Sequence, residues 1–257
     1  MPPDANPLDQ HFSLPKIRRV ERDRPLAWLR AGWYDLVANP VASLSYGLLF
    51  AIAGDITLIF AWRNAHLFSA AISGFFLVAP LLCAGLYEIS RRQAAGLSST
   101  HLDSLAGWRR NGESMAMFGL FLTFIGVFWE RLSAVLFALL APDLALDLSA
   151  FVSSILGSRE YRTLLIVWFI AGGAISLFVF AVSAVSIPML LDRDTDFVTA
   201  MMTSLRAVAR NLDTMVLWAG IIVLLTVLGF ATLLFGLVVL MPLIGHASWH
   251  AYRDLVE

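Results

Sequence analysis

One acid sits where a charge is costly. Asp55 lies inside the apolar run 41–61 (VASLSYGLLFAIAGDITLIFA). A charged side chain at the centre of a membrane helix costs about 2.5–3.5 kcal/mol on insertion scales. Burial between helices, a cationic partner or protonation must offset that cost. Arg63 and Arg131 are the nearest partners by depth, so Asp55, Arg63 and Arg131 form the candidate set of buried ionisable groups. The plain reading is a salt bridge between helices. The functional reading is a cavity near Asp55 that handles protons, a small molecule or a lipid.

The other candidates are histidines. His246 and His250 are four apart and share a helix face, with His101 as the candidate opposing ligand. The spacing permits ligation, yet two ligands are too few for a structural zinc site. Haem or quinone binding near His246 and His250 is the functional alternative to an interfacial packing role beside Trp249 and Tyr252. Cys83 is the single cysteine, which excludes an internal disulfide. Lys16 is the single lysine, which excludes a GxxxxGK[ST] phosphate loop, and no HExxH, CxxC, GxSxG or GxGxxG motif occurs. No catalytic residue, metal or cofactor is expected from these patterns.

The elements that carry these residues follow from composition. The 257 residues are 59% hydrophobic and 14% charged, with net charge −1 and mean hydropathy +0.76. A soluble domain carries about 25% charged residues, so a soluble enzyme and a nucleic-acid binder are excluded. A helix needs about 20 apolar residues to cross a bilayer. Spans are predicted at 41–61, 67–87, 114–133 and 163–190. The run 212–249 is too long for one span and divides near Gly229 into 212–229 and 232–252. With six spans and the N-terminus inside, 14 of the 18 Arg and Lys residues fall on the cytoplasmic side, as the positive-inside rule requires. Residues 1–24, polar and proline-rich, read as a flexible cytoplasmic tail before a domain over 25–257. The outer segment 141–162 suggests a short surface helix.

A pattern recurs three times. Asn39, Asn111 and Asn211 are followed at +7 by Tyr46, Phe118 and Trp218, at +8 by Gly47, Gly119 and Ala219, and at +15 by Gly54, Gly126 and Thr226. Prolines 80, 188 and 242 mark the second helix of each unit. The fold expected is all-α: three like-oriented helical hairpins (about 25–95, 100–193 and 194–255) around a pseudo-threefold axis. Gly47, Gly54, Gly119 and Gly126 fall on helix faces where backbones pack closely. Each hairpin follows a cytoplasmic amphipathic helix. Leu26, Leu29, Trp33 and Leu36 share a face of the first, away from Arg30 and Asp35. Met201, Leu205, Val208 and Leu212 share a face of the third. Such helices lie in the headgroup plane.

The run PLAWLRAGWYDLVANPVASLSYGLLFA and the ending MPLIGHASWHAYRDLV resemble a bacterial family of integral membrane proteins of unknown function, over about residues 17–255. Some members carry a cytochrome c oxidase label. A haem–copper catalytic subunit needs more histidine ligands and more spans than this chain has, with five histidines in all, His11 among them in the tail. The resemblance implies fold and location without an activity. The reading is a multi-pass inner-membrane protein, both termini cytoplasmic, with the lipid bilayer and another membrane complex, respiratory or otherwise, as partners. It is expected to be accessory or scaffolding rather than enzymatic.

Overall fold

The computed structural model describes residues 14–63, 83–97, 99–105, 107–140 and 161–257. The expected span 67–87 lies mostly outside them, as do Pro80 and nearly all of the outer segment 141–162. Among the described residues the structure is helical, with one isolated bridge between Ile17 and Val256. In chain order the helices are α1 (Arg24–Ala38), α2 (Pro40–Arg63), α3 (83–94), α4 (His101–Leu105), α5 (Gly107–Arg110), α6 (Gly112–Leu140), α7 (Arg162–Ser183), α8 (Ser186–Asp192), α9 (Phe197–Arg210), α10 (Leu212–Ala231) and α11 (Leu237–Leu255).

Three stretches are long and apolar enough to cross a membrane: Gly112–Leu140, Arg162–Asp192 and Leu212–Ala231. No more than 22% of their most apolar windows is buried inside the protein, so these apolar faces need lipid around them. The pair α1 and α2 adds a fourth if it is counted as one bent span. The bend is 107°. It falls at Asn39–Pro40, because Pro40 has no amide hydrogen to continue the ladder of α1. The apolar run 212–249 breaks as α10, a turn at 232–236 and α11. In the turn Leu233 and Leu234 take φ of 51° and 68°. α11 is not one of the three apolar stretches; His246, His250, Arg253 and Asp254 lie in its second half.

Proline also explains the break between α7 and α8. Pro188 offers no N–H to the Ala184 carbonyl, and its ring crowds that carbonyl. The ladder is interrupted one step earlier as well. The Val185 amide donates to Ser204 Oγ at 3.1 Å, and Ser204 Oγ donates to the Ala181 carbonyl at 2.8 Å. A hydroxyl from α9 thus sits between two groups that an unbroken helix would pair directly. Ser204 is fully buried. Ser204→Ala is expected to lower stability by about 1–2 kcal/mol, the cost of stranding a buried donor and acceptor. Thermal unfolding in detergent measures it, and an unchanged midpoint would refute the stitch.

α1 lies along α11, and α2 packs on the same helix. α9 lies on α7 and α8. α5 lies on α3: a methyl added at Gly107 would come 3.1 Å from Glu88 Cβ. These contacts use small residues, because only a bare backbone lets helices approach this closely. A methyl at Gly32 of α1 would stand 2.6 Å from the Ala247 amide nitrogen. The buried face of α9 is Thr199, Ala200, Thr203, Ser204, Ala207 and Val208. The face of α1 turned inward is Pro25, Trp28, Gly32, Asp35 and Leu36; of the expected apolar set Leu26, Leu29, Trp33 and Leu36, only Leu36 is on it. Leu26 and Trp33 are exposed; the glycine side goes inward because it admits the α11 backbone.

The expected flexible tail is held well before residue 24. The Arg18 amide donates to the Leu255 carbonyl at 2.8 Å, and the Glu257 amide to the Lys16 carbonyl at 3.0 Å. Ile17 is buried between them and the core.

Candidate functional site

The polar residues gather around the C-terminal half of α11. His246 is fully buried. Its Nε2 is 2.9 Å from Ser43 Oγ on α2, and its Nδ1 is 2.7 Å from Ser90 Oγ on α3. One helical turn on, His250 Nε2 lies 2.8 Å from Asp35 Oδ2 on α1. Asp35 is 3% exposed, so its carboxylate depends on this contact rather than on water. Asp254 Oδ2 accepts from Arg24 Nε at 2.7 Å and from Trp28 Nε1 at 2.8 Å. Tyr252 donates its hydroxyl to Asp192 at 2.8 Å and accepts from Arg193 Nε at 3.0 Å. Arg253 reaches the same Asp192 oxygen at 3.1 Å. α11 therefore ties α1, α2, α3 and α8 together through paired polar groups.

A second cluster stands beside it on α3. Arg91 grips both oxygens of the buried Glu88 at 2.7 Å each, and Arg110 of α5 approaches Glu88 at 3.9 Å. His101 opens α4. Thr100 and Asp103 cap that helix reciprocally: Thr100 donates through its amide and hydroxyl to Asp103, and the Asp103 amide donates to Thr100 Oγ1. The two bonds from Thr100, with Arg92 nearby, hold the exposed Asp103 carboxyl below its usual range. His101 Nδ1 lies 2.9 Å from Ser45 Oγ, and its ring stacks at 5.2 Å on Tyr46. The Tyr46 hydroxyl is 2.7 Å from Ser104 Oγ and lies over Gly85, where no side chain would fit.

The three asparagines stand where one helix turns into the next. Asn39 and Asn211 share a backbone conformation, with φ, ψ of −130°, 56° and −125°, 41°. Asn39 Nδ2 donates to Gln93 Oε1 at 3.1 Å. Asn111 Nδ2 donates to the Thr195 carbonyl at 2.6 Å. Asn211 Nδ2 donates to the Arg18 carbonyl at 3.0 Å and its Oδ1 accepts from the Val20 amide at 2.8 Å. Their +7 aromatics Tyr46, Phe118 and Trp218 are all buried.

Residues 67–192 match the family described as "Predicted integral membrane protein (DUF2189)". This part of the chain is similar to that family. The matched segment of this integral membrane protein covers just under half of the sequence and includes α3 to α8. No curated protein and no solved structure matches the chain.

The expected site residues of this membrane protein do not converge. His101 turns to Ser45, His246 to two serines and His250 to Asp35, each toward a different neighbour. Among the described residues no group of three or more His, Cys, Asp or Glu could hold a metal ion. Both ring nitrogens of His246 are engaged, so a haem iron would have to displace a serine. Asp55 is exposed on α2. Arg131 is exposed too and meets its own neighbour Glu130 at 3.2 Å, not Asp55; the side chain of Arg63 lies outside the described residues. Gly47 faces α11 at Val238 and Gly54 faces the turn before it at Leu234, and Gly119 and Gly126 are half-buried on α6. Ser43, Ser90, Asp35, Asp192 and Asp254 escaped the sequence reading. Their types are common, and only the fold shows that each faces α11 or is carried by it. What the collar does chemically is hold: each acid and each imidazole is matched by a neighbour.

Proposed function

We propose that the protein is a non-enzymatic, accessory or scaffolding component of a bacterial inner membrane. It consists of three like-oriented hairpins, six spans in all with both termini in the cytoplasm, and it associates with another membrane complex. The observation that carries this reading is the mutual engagement of the polar groups around α11, which leaves the collar to organise helices. The order of packing supports the threefold part. α5 rests on α3, the outgoing helix of the unit before it; α9 rests on α7 and α8, again the unit before; and α1 rests on α11, which closes the circle. The exposed Leu26, Trp33, Tyr34 and Val37 of α1 suit a helix lying in the headgroup layer.

Purification in gentle detergent at native expression is expected to bring down a co-migrating membrane complex; recovery of the protein alone would overturn the accessory role. A reporter fused after Glu257 is expected on the cytoplasmic side, and a periplasmic reporter would overturn the six-span scheme. A second reading, transport of a small molecule or lipid, is favoured by one observation: an ionisable Asp55 stands exposed on an apolar helix. An Asp55→Asn strain that grows and accumulates the protein normally would remove that support.

A further inference from the structure

We propose that the cleft between the chain before α1 and the start of α10 binds the phosphate of an anionic phospholipid headgroup. The cleft measures about 260 Å³ and is lined by Arg19, Arg22, Arg210, Asn211, Asp213 and Thr214, with Leu212 at its edge. Three guanidiniums against one carboxylate give the lining a net charge of +2. None of the three arginines has a carboxylate within salt-bridge distance among the described residues, so their charge is available to a ligand. Guanidinium groups match phosphate oxygens in a bidentate geometry.

The walls are set before any ligand arrives. Asn211 holds the backbone at Arg18 and Val20, and Thr214 Oγ1 donates to the Glu21 carbonyl at 3.3 Å. Arg19 and Arg22 therefore extend from a pinned strap, and Arg210 from the last turn of α9. A backbone already fixed loses less freedom on binding.

The surroundings select a lipid over a free anion. Leu212 lies at the cleft and is exposed, and Val216, Val223 and Val227 continue from it on one exposed face of α10. A basic cleft that opens onto an apolar stripe has the two-part chemistry of a phospholipid, with phosphate in the cleft and an acyl chain along the helix. This inference rests on α10 as a membrane-spanning helix, and it is indifferent to which side of the membrane the cleft faces.

Native mass spectrometry of the full chain in mixed micelles tests it, with phosphatidylglycerol, phosphatidylcholine and sodium phosphate as probes. Phosphatidylglycerol is expected to be retained over phosphatidylcholine, and millimolar sodium phosphate is expected not to displace it. Each arginine changed to glutamine (Arg19→Gln, Arg22→Gln, Arg210→Gln) is expected to weaken retention about fivefold. Arg206→Gln, an exposed arginine of α9 outside the cleft, is expected to change it little. Asp213→Asn removes the one anionic group and is expected to strengthen retention, a gain that misfolding cannot imitate. Equal retention of both lipids, displacement by phosphate, wild-type retention by the triple variant, or an equal loss in Arg206→Gln would each overturn the site. None of these outcomes bears on where the reporter after Glu257 is found or on what co-purifies.

Discussion

Gly47→Ala is expected to destabilise the protein by about 3 kcal/mol, at the upper end of the usual cost of overpacking a core. The added methyl would overlap the Val238 carbonyl oxygen, with the carbonyl carbon and Cα of the same residue close behind. Backbone cannot rotate away as a side chain can. The contact has a cause four residues on. Pro242 has no N–H to give the Val238 carbonyl, and the bare backbone of Gly47 lies on the carbonyl left free, where a Cα–H can face it. Gly173→Ala and Gly220→Ala are the comparison. Nothing lies within 4 Å of a methyl at either position, and removing a glycine from a helix interior gains about 0.5–1 kcal/mol. Thermal or denaturant unfolding of the three variants in detergent should separate them in sign. If Gly47→Ala melts with the wild type, α2 and α11 do not cross there.

Trp218→Ala is the second large effect, about 3–5 kcal/mol from lost burial and the cavity left behind. Trp218 is 1% exposed and meets Trp28 edge-on, ring centroids 5.7 Å apart. Trp28 is fixed in turn by Asp254. The substitution therefore removes the wedge between α10, α1 and α11 and should loosen all three. Val223→Ala, exposed on the same helix, is expected to stay within about 0.5 kcal/mol of the wild type. Protection of the α1 amides in hydrogen exchange gives an independent readout. Unchanged protection in Trp218→Ala would show that the two tryptophans do not share a core.

The bilayer character of the chain is plain in its amino acids. Twenty or so apolar residues in a row have few other uses, and the helices over 112–140, 162–192 and 212–231 follow from that alone. The long run 212–249 advertised a break through its length. The turn itself lies at 232–236 through Leu233 and Leu234, residues that carry no turn preference yet take positive φ, with Leu234 packed under Gly54. Spacing was a poor guide to partners. Four residues place His246 and His250 on one face, yet a small angular offset sends one to α2 and α3 and the other to α1. The side of a helix that turns inward was equally hidden. In α1 a heptad-like apolar set pointed to Leu26 and Trp33, but close approach to Ala247 selects Gly32 and carries Asp35 in with it. For α2 the inward face is set by Gly47, Phe50 and Gly54, which leaves Asp55, one step round, outside.

The bridge between Ile17 and Val256 has a consequence for how the protein is made. α1 leaves the ribosome some two hundred residues before its seat on α11 does. Until α11 emerges, Trp28 and Asp35 have no counterpart, and α1 waits with an open side. Contacts of such long sequence separation form slowly. A nascent chain stalled before α11 would leave the inward face of α1, with its buried acid, uncovered.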